Sequence, residues 1–400
     1  MLDHPLWDRN PLAALLGERA AADFLTRVYE REWLCVTAGE LGEAPDRFRP
    51  LVDIATIDGI VTGTDLKRGD LLLADASRDH GIDDDAYIDN QGYIDRGAVS
   101  QHYRLGATII INQGQRFVPA LGRFCQGLEW ALSAHFQTNL YLTPPDAQGF
   151  PTHFDNHDVF VMQVEGEKLW KLYNVPLDTP YRGERYNSGI HMRGDCVAEF
   201  VLRPGDIAYV PRGLMHDAAT SGSEPSLHIT AGVINRTWAD LLLEAVSEVA
   251  LREPSIRRSL PAGFARAGFD RTEAREELAR LAETLARELR LDPALDILAD
   301  SFVSTRAAFN DGTVTGATQD ITGVHFEKVP HVLLRLEREE QGERRWRLLA
   351  PGGPLWFTAE SGEALQRALS GEPFAAGDLG FEHAEALTRR LFAYGIVRRV

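Results

Sequence analysis

Apolar positions in residues 12–31 recur through Leu12, Leu15, Leu16, Phe24 and Val28. That spacing is close to the 3.6-residue helical period and predicts an amphipathic helix. Residues 33–36 read as a short strand, 107–112 (ATIIIN) as a β-branched strand and 121–136 as an amphipathic helix. From Thr138 to about Val233 the pattern turns all-β, with short apolar runs punctuated by PPD, EG, RPGD and PRG turns, as in a sandwich or barrel. Within it, 159–164 and 168–173 flank Glu165-Gly166 and read as a hairpin.

After Asn235 the character changes. Residues 237–256 and 271–290 are helical, with Arg and Glu at i,i+4 spacing. Asp270 followed by Glu273 marks a helix start. Residues 310–324 are Gly/Thr-rich and read as a linker or loop. Residues 319–400 carry strands at 332–336, 345–349 and 395–400 and helices at 362–369 and 382–392, the order of a winged-helix-like module. No internal repeat is present. The expected division is a catalytic domain over 1–236, a helical domain over 237–318 and a winged-helix-like domain over 319–400.

Composition narrows the classes. The chain has 400 residues, 44% hydrophobic and 25% charged, ordinary values for a globular protein of two or three domains. No apolar run approaches the ~18 residues of a membrane span. The N-terminus has no basic region before an apolar one, so no secretory signal is expected. The three cysteines, Cys35, Cys125 and Cys196, are scattered and form no CxxC pair, which argues against a disulfide framework or zinc ribbon and suits a reducing cytoplasm. Net charge is −17, unfavourable for a nucleic-acid partner. Residues 1–235 hold 33 acids against 20 Lys and Arg, and residues 236–400 hold 26 against 22. The acidic first part favours a basic partner. Residues 79–95 carry six aspartates and no Lys or Arg, and read as an exposed loop.

The densest chemistry lies in PTHFDNHDVFVMQVEGEKLWKLY, residues 151–173. In an extended chain His153 and Asp155 project to one face. They supply two of the three ligands of a facial two-histidine, one-carboxylate iron site. His157 and Asp158 crowd the same stretch and leave the choice of ligand open; His157 shares the face only if the strand stays regular. A third ligand comes from RPGDIAYVPRGLMH, residues 203–216. Gly205, Pro211, Gly213 and His216 form the spacing G-x5-P-x-G-x2-H, the second cupin signature, with Thr220 where its final asparagine usually stands. On the strand 168–173, Lys168, Trp170 and Leu172 share a face that is apolar except for Lys168. A lysine there is costly unless it meets an anion. The anionic co-substrate 2-oxoglutarate would meet that need. Asn139 and Tyr141, two apart on another strand, place hydrogen-bonding groups on one face.

Taken together, GATIIINQG, LYLTPPDAQGFPTHFDNHDVFVMQVEGEKLWKLY and RPGDIAYVPRGLMHDA resemble the JmjC-type cupins of the ribosomal-oxygenase group, Fe(II)- and 2-oxoglutarate-dependent protein hydroxylases. The resemblance implies a mainly β catalytic core, a double-stranded β-helix of the cupin/JmjC type with helical additions, followed by an α-helical segment and a winged-helix-like module. It implies His153, Asp155 and His216 as catalytic metal ligands. It implies Lys168 as partner of the remote carboxylate of 2-oxoglutarate, and Asn139, Tyr141, Ser226, His228 and Thr230 as lining of the co-substrate pocket. Fe(II), 2-oxoglutarate and O2 are then the cofactor and co-substrates, and a homodimer through the 237–318 helices is expected.

The reading that follows is an enzyme hydroxylating a side chain of a basic or polar protein or peptide, such as a ribosomal-protein histidine or arginine or a ribosomally made peptide. A metal cupin enzyme that uses no 2-oxoglutarate shares the triad but has no need of Lys168, Asn139 and Tyr141. A ligand-sensing DNA-binding regulator with a degenerate cupin would suit the C-terminal module. Residues 320–400, however, hold 12 acids and 11 bases, without the positive excess that phosphate binding needs.

Overall fold

The computed structural model describes residues 1–78, 81–307, 312–339 and 345–400. Residues 79 and 80 of the aspartate-rich segment, and 310 and 311 of the Gly/Thr-rich stretch, lie outside the described residues. The chain forms two compact units, Met1–Asn235 and Arg236–Val400.

The first unit opens with α1 (Pro11–Leu16) and α2 (Glu18–Asp23), which runs on into a π-helical turn at Phe24–Val28. The single helix expected over 12–31 is interrupted because Gly17 adopts φ 81 and Glu30 φ 61. Asn10 caps α1 by accepting from the Ala13 amide, and Pro11 occupies its first turn. The chain continues through β1 (Leu34–Val36), α3 (Ala38–Leu41), α4 (Ile54–Gly63), β2 (Leu71–Ala74), α5 (Arg96–Arg104), β3 (Thr108–Ile111) and α6 (Pro119–Leu132). The end of α6 falls short of 136 because Ser133 turns left-handed (φ 49) and His135 opens a strand. In the aspartate-rich segment Tyr87, Ile88 and Ile94 are buried anchors, while Asp83, Asp85, Asp89 and Asp95 face solvent.

Seven further strands complete the unit: β4 (His135–Thr143), β5 (Asp158–Glu165), β6 (Lys168–Tyr173), β7 (Cys196–Leu202), β8 (Ile207–Val210), β9 (His216–Thr220) and β10 (Ser226–Ile234). They build a seven-stranded sheet in the order β1-β8-β5-β10-β4-β3-β2 and a three-stranded sheet in the order β7-β6-β9, antiparallel throughout. Strand β5 is apolar along most of its length because both faces are covered. Phe160 and Met162 pack with Phe24, Phe124, Leu128 and Phe136 on the helical side. Val159 and Val161 meet Trp170, Leu172 and Leu202 of the smaller sheet.

The expected hairpin over 159–173 does not form. Strand β5 pairs with β8 and β10, and β6 pairs with β7 and β9. Glu165-Gly166 therefore carries the chain from one sheet to the other. Gly166 has φ 64, and a Cβ there would lie 2.2 Å from the Pro225 carbonyl oxygen.

The second unit holds α7 (Trp238–Arg252), α8 (Thr272–Glu288), α9 (Leu291–Ser304) and α10 (Thr313–Gly316). Next come β11 (His325–Lys328), β12 (Arg335–Glu339), β13 (Arg345–Ala350), β14 (Gly353–Thr358), α11 (Gly362–Ala368), β15 (Phe374–Ala375), α12 (Ala384–Ala393) and β16 (Val397–Arg399). Two three-stranded sheets, β12-β13-β14 and β15-β11-β16, share a core of Phe326, Leu348, Leu365, Phe374, Leu391 and Ile396 with α11 and α12. Helix α9, absent from the sequence reading, is tied to the first of these sheets: Arg335 pairs with Asp296 at 2.7 Å and Arg347 with Asp300 at 2.9 Å. Among the described residues no helix is long and apolar enough to cross a membrane.

Gly166→Ala should destabilise the first unit by about 2–4 kcal/mol, from left-handed strain plus the clash with a backbone oxygen. Chemical denaturation of the two proteins measures it, and equal midpoints would show that the crossover tolerates a side chain.

Candidate active site

His153 and Asp155 sit in the loop before β5, not on the strand the sequence suggested. A single antiparallel bridge fixes His153. Its amide donates to the His216 carbonyl at 3.0 Å, and the His216 amide donates back at 2.8 Å. Residues exchanging both bonds stand directly opposite, so their side chains share a face. Asp155 is held two residues on by its own carbonyl, which accepts from the Gly213 amide at 3.0 Å. Gly213 (φ 85) closes the turn that delivers His216, and a Cβ there would lie 2.1 Å from the Leu177 carbonyl oxygen.

The three side chains converge. His153 Nε2 lies 3.9 Å from Asp155 Oδ1, and His216 Nε2 lies 3.8 Å from Asp155 Oδ2. One ligand atom from each residue falls within 4.8 Å of the others. Both imidazoles are oriented alike. His153 Nδ1 donates to the Pro151 carbonyl at 2.9 Å and His216 Nδ1 to the Leu214 carbonyl at 3.0 Å. A carbonyl only accepts, so Nδ1 carries a proton in each ring, and Nε2 is the nitrogen turned to the cluster. Burial, reinforced by the neighbouring His153, lowers the His216 pKa to about 4 and keeps the ring neutral. Desolvation raises the Asp155 pKa, but His153, His157 and His216 outweigh it and hold the group below the usual carboxylate range. Two imidazoles and a carboxylate fit a divalent transition metal with open positions.

The open choice among neighbours resolves here. Asp158 is fully buried and turned away. It accepts from the Arg212 amide at 3.0 Å, the Arg212 guanidinium at 3.1 Å and Asn235 Nδ2 at 2.5 Å, which anchors the turn carrying His216. His157 faces Asn156 Oδ1 at 3.5 Å and stays outside the group of three.

The cavity at the triad is lined also by Tyr141, Lys168, His228 and Thr230. Lys168 is 3% exposed. Its Nζ lies 3.3 Å from His228 Nδ1 and 6.0 Å from the centre of the Tyr141 ring, which stacks on His228 at 4.6 Å. No carboxylate meets Lys168 among the described residues, and burial alone lowers its pKa to about 7. His228 is held neutral by burial and by Lys168. Near Lys168 two more polar atoms are buried without a partner, Trp170 Nε1 and Thr220 Oγ1. Trp170 follows on the same face, and Thr220 stands opposite Lys168 in the β6–β9 register. A buried ammonium with unpartnered donors beside it fits an anion with a carboxylate end.

Two expected lining residues are engaged elsewhere. Asn139 Oδ1 accepts from the Gln113 amide at 3.1 Å, and the Asn139 side chain hydrogen-bonds the hydroxyl of Tyr141, a lining residue, without lining the cavity itself. Ser226 Oγ accepts from Gln163 Nε2 at 2.8 Å, beyond a bulge that shifts the β10–β5 register between Leu227 and His228. The sequence reading missed Thr108, Phe150 and Asp217, which line the cavity. Their only local signal is a lone hydroxyl, ring or carboxylate in an otherwise ordinary segment.

A fold of two antiparallel sheets around a His-Asp-His cluster defines a cupin of the metal-binding type. Residues 111–241 match the JmjC domain family, so the chain carries a JmjC domain, and several of its relatives are ribosomal oxygenases. It is 34% identical to ribosomal oxygenase 2 of Bos taurus over 253 residues, 62% of this chain and 48% of that protein. It is 33% identical over 220 residues to the bifunctional lysine-specific demethylase and histidyl-hydroxylase NO66 of Drosophila persimilis, 51% of this chain and 32% of that protein. The chain thus spans less than half the length of these curated relatives. The fold matches YcfD, a ribosomal oxygenase from Escherichia coli solved in complex with cobalt and 2-oxoglutarate, with a TM-score of 0.53 and 14% identity over 94% of this chain and 97% of that one.

Asp155→Ala should weaken binding of Co(II) or Fe(II) by roughly 100-fold or more, since it removes the only anionic ligand of the set. Calorimetric titration of the purified proteins measures this, and unchanged affinity would move the metal elsewhere.

Proposed function

We propose that the protein is an Fe(II)- and 2-oxoglutarate-dependent oxygenase that hydroxylates a side chain of a protein or peptide. The observation that carries this reading is the pairing, in one cavity, of the His153-Asp155-His216 cluster with the unneutralised Lys168 ammonium. The triad would hold the ferrous ion. Lys168 would hold the remote carboxylate of 2-oxoglutarate, with Trp170 and Thr220 supplying the unpartnered polar atoms nearby. With 2-oxoglutarate and O2, the bound metal supplies an oxidant that puts one oxygen atom on a C–H bond and leaves succinate and CO2. The chain's own residues orient the reactants and exclude water. The rings of Tyr141, Trp170 and His228 wall the cavity, and the carbonyls of Pro151 and Leu214 hold the two imidazoles in the tautomer a metal needs. A metal cupin with no diacid co-substrate would leave Lys168 without a role.

The names of the relatives, a ribosomal oxygenase and a bifunctional lysine-specific demethylase and histidyl-hydroxylase, and the acid excess of residues 1–235 support a protein substrate. A basic or polar segment, with a ribosomal-protein histidine or arginine as the target, fits both. The helices of the second unit expose Trp238 (76%), Leu243 (58%), Leu251 (76%) and Leu278 (68%). An apolar surface of this kind suits a second copy of the chain, and we assign it to a homodimer.

Incubation of a host proteome with enzyme, Fe(II), ascorbate and 2-oxoglutarate should give a peptide heavier by one oxygen, with succinate formed in step. Succinate without any such peptide would sink the protein-substrate reading. Lys168→Ala should raise the KM for 2-oxoglutarate roughly 30-fold or more, the effect of removing one partner of a buried charge pair. Free Lys168 titrates near 7 and a bound carboxylate favours the ammonium. The 2-oxoglutarate affinity is therefore greatest below that pH and falls as pH rises through it. Lys168→Arg should flatten this fall, because arginine stays charged. A pH-independent KM in the unaltered enzyme would remove Lys168 from the site. Sedimentation should show a dimer that Leu243→Glu with Leu278→Glu dissociates; a monomer before substitution would refute the assignment.

A further inference from the structure

A second concavity, of about 810 Å3, lies in the first unit away from the triad, between α1–α2 and β1. None of its lining residues belongs to the site described above. Its floor is apolar, made by Ala13, Ala14 and Leu16 of α1, each 5% exposed or less, and by Val36 of β1.

One wall is a free sheet edge. Strand β1 ends the seven-stranded sheet, with β8 on one side and, among the described residues, no strand on the other. Leu34, Cys35 and Val36 all line the concavity, although successive side chains of a strand point to opposite faces. The groove therefore runs along the edge of the strand and not over one face. In an antiparallel pair, alternate residues direct N–H and C=O away from the partner. Among the described residues no main-chain group completes these outward positions on β1.

The rim is acidic. Glu18, Asp23, Glu32, Glu40 and Glu43 stand against Arg19 and Arg27. Asp23 lies 3.9 Å from Arg27, Glu43 pairs with His4 at 3.0 Å, and Glu40 closes the cap of α3. Glu18 and Glu32 are exposed and take part in no ion pair among the described residues, as does Arg19.

We propose that this groove docks an extended basic segment of a polypeptide, which adds main chain to main chain along β1, sets apolar side chains on the α1 floor and turns cationic ones to the rim. Strand addition supplies directionality, and the alternation of side chains supplies selection for a basic-apolar pattern. A three-residue edge offers few main-chain bonds, so the carboxylates and the floor carry much of the affinity. Taking the segment to be part of the enzyme's own substrate rests on the protein-hydroxylase reading above. The docking itself does not.

The test uses the whole chain and short fluorescein-labelled peptides of alternating lysine and valine, read by anisotropy. The lysine peptide should bind saturably and more weakly as salt is raised. Glu18→Lys with Glu32→Lys should weaken it on the order of tenfold, from reversal of two exposed charges. Both positions are exposed and outside the triad, so the variant should keep its metal affinity. N-methylation of alternate peptide amides should weaken binding comparably. Asp155→Ala should bind the peptide like the parent, so failure of the catalytic reading and failure of the docking reading are distinguishable. Absent saturation, equal binding of a glutamate-valine peptide, indifference to N-methylation or indifference to the charge reversal would each overturn the proposal. So would concentration-dependent self-association lost in the double variant, which would give the groove to a second copy of the chain.

Discussion

Two backbone hydrogen bonds between His153 and His216 determine where the chemistry can occur. Each contributes only ~1 kcal/mol net. Their value lies in register, because a slip by one residue would turn an imidazole to the opposite face. The bridge joins a loop to the first residue of β9, and β9 is itself fixed by pairing with β6. The Gly213 amide then meets the Asp155 carbonyl at 3.0 Å, so one short turn positions a ligand on each side of the gap. Asp158 adds the third restraint, holding the Arg212 amide and guanidinium of that turn from beneath. Three ligands from two segments distant in sequence thus behave as one rigid group.

The same arrangement explains why Lys168 is tolerated. The β6 face that carries it also carries Trp170 and Leu172, and both are buried. An ammonium in that position gives up hydration and gains only a neutral imidazole acceptor at 3.3 Å. That desolvation is not offset by a carboxylate among the described residues, so a bound anion accounts for its presence better than packing does. The cluster beside it requires the opposite partner: two lone pairs and a carboxylate call for a cation. A cavity that places these two unmet demands next to each other suits a cation and a diacid bound together.

Much of this was legible locally. The glycine and proline spacing around His216 is turn chemistry, and turn chemistry is written in adjacent residues. The alternation over 168–173 placed Lys168 on a buried face correctly, because period two is a property of any strand. Pairing was not legible. Glu165-Gly166 looks like a hairpin turn, and only the distant strands β8, β9 and β10 decide that it is a crossover. For the same reason the sequence suggests His153 and Asp155 as strand neighbours, whereas a bridge to residue 216 aligns them. Asn139 and Ser226 show a further limit: alternation gives the face of a side chain but not its partner. Their partners, the left-handed Gln113 backbone and Gln163, lie on other segments.

Charge acts at two ranges in this molecule, and the ranges select opposite partners. Residues 1–235 carry an excess of acids, most of them exposed or half-exposed, and their field reaches about a Debye length, ~8 Å at physiological salt. That field attracts cationic polypeptide and repels a free diacid. Lys168, enclosed by Tyr141, His228 and Trp170, acts only within the cavity, where low polarizability makes each charge count for more. On the reading proposed above, a small anion would be taken up on short-range contacts against the outer field, while a basic macromolecule would be gathered by that field and sorted afterwards by shape. Neutralising surface acids would thus be felt first in the capture of the large partner, and neutralising Lys168 in the retention of the small one.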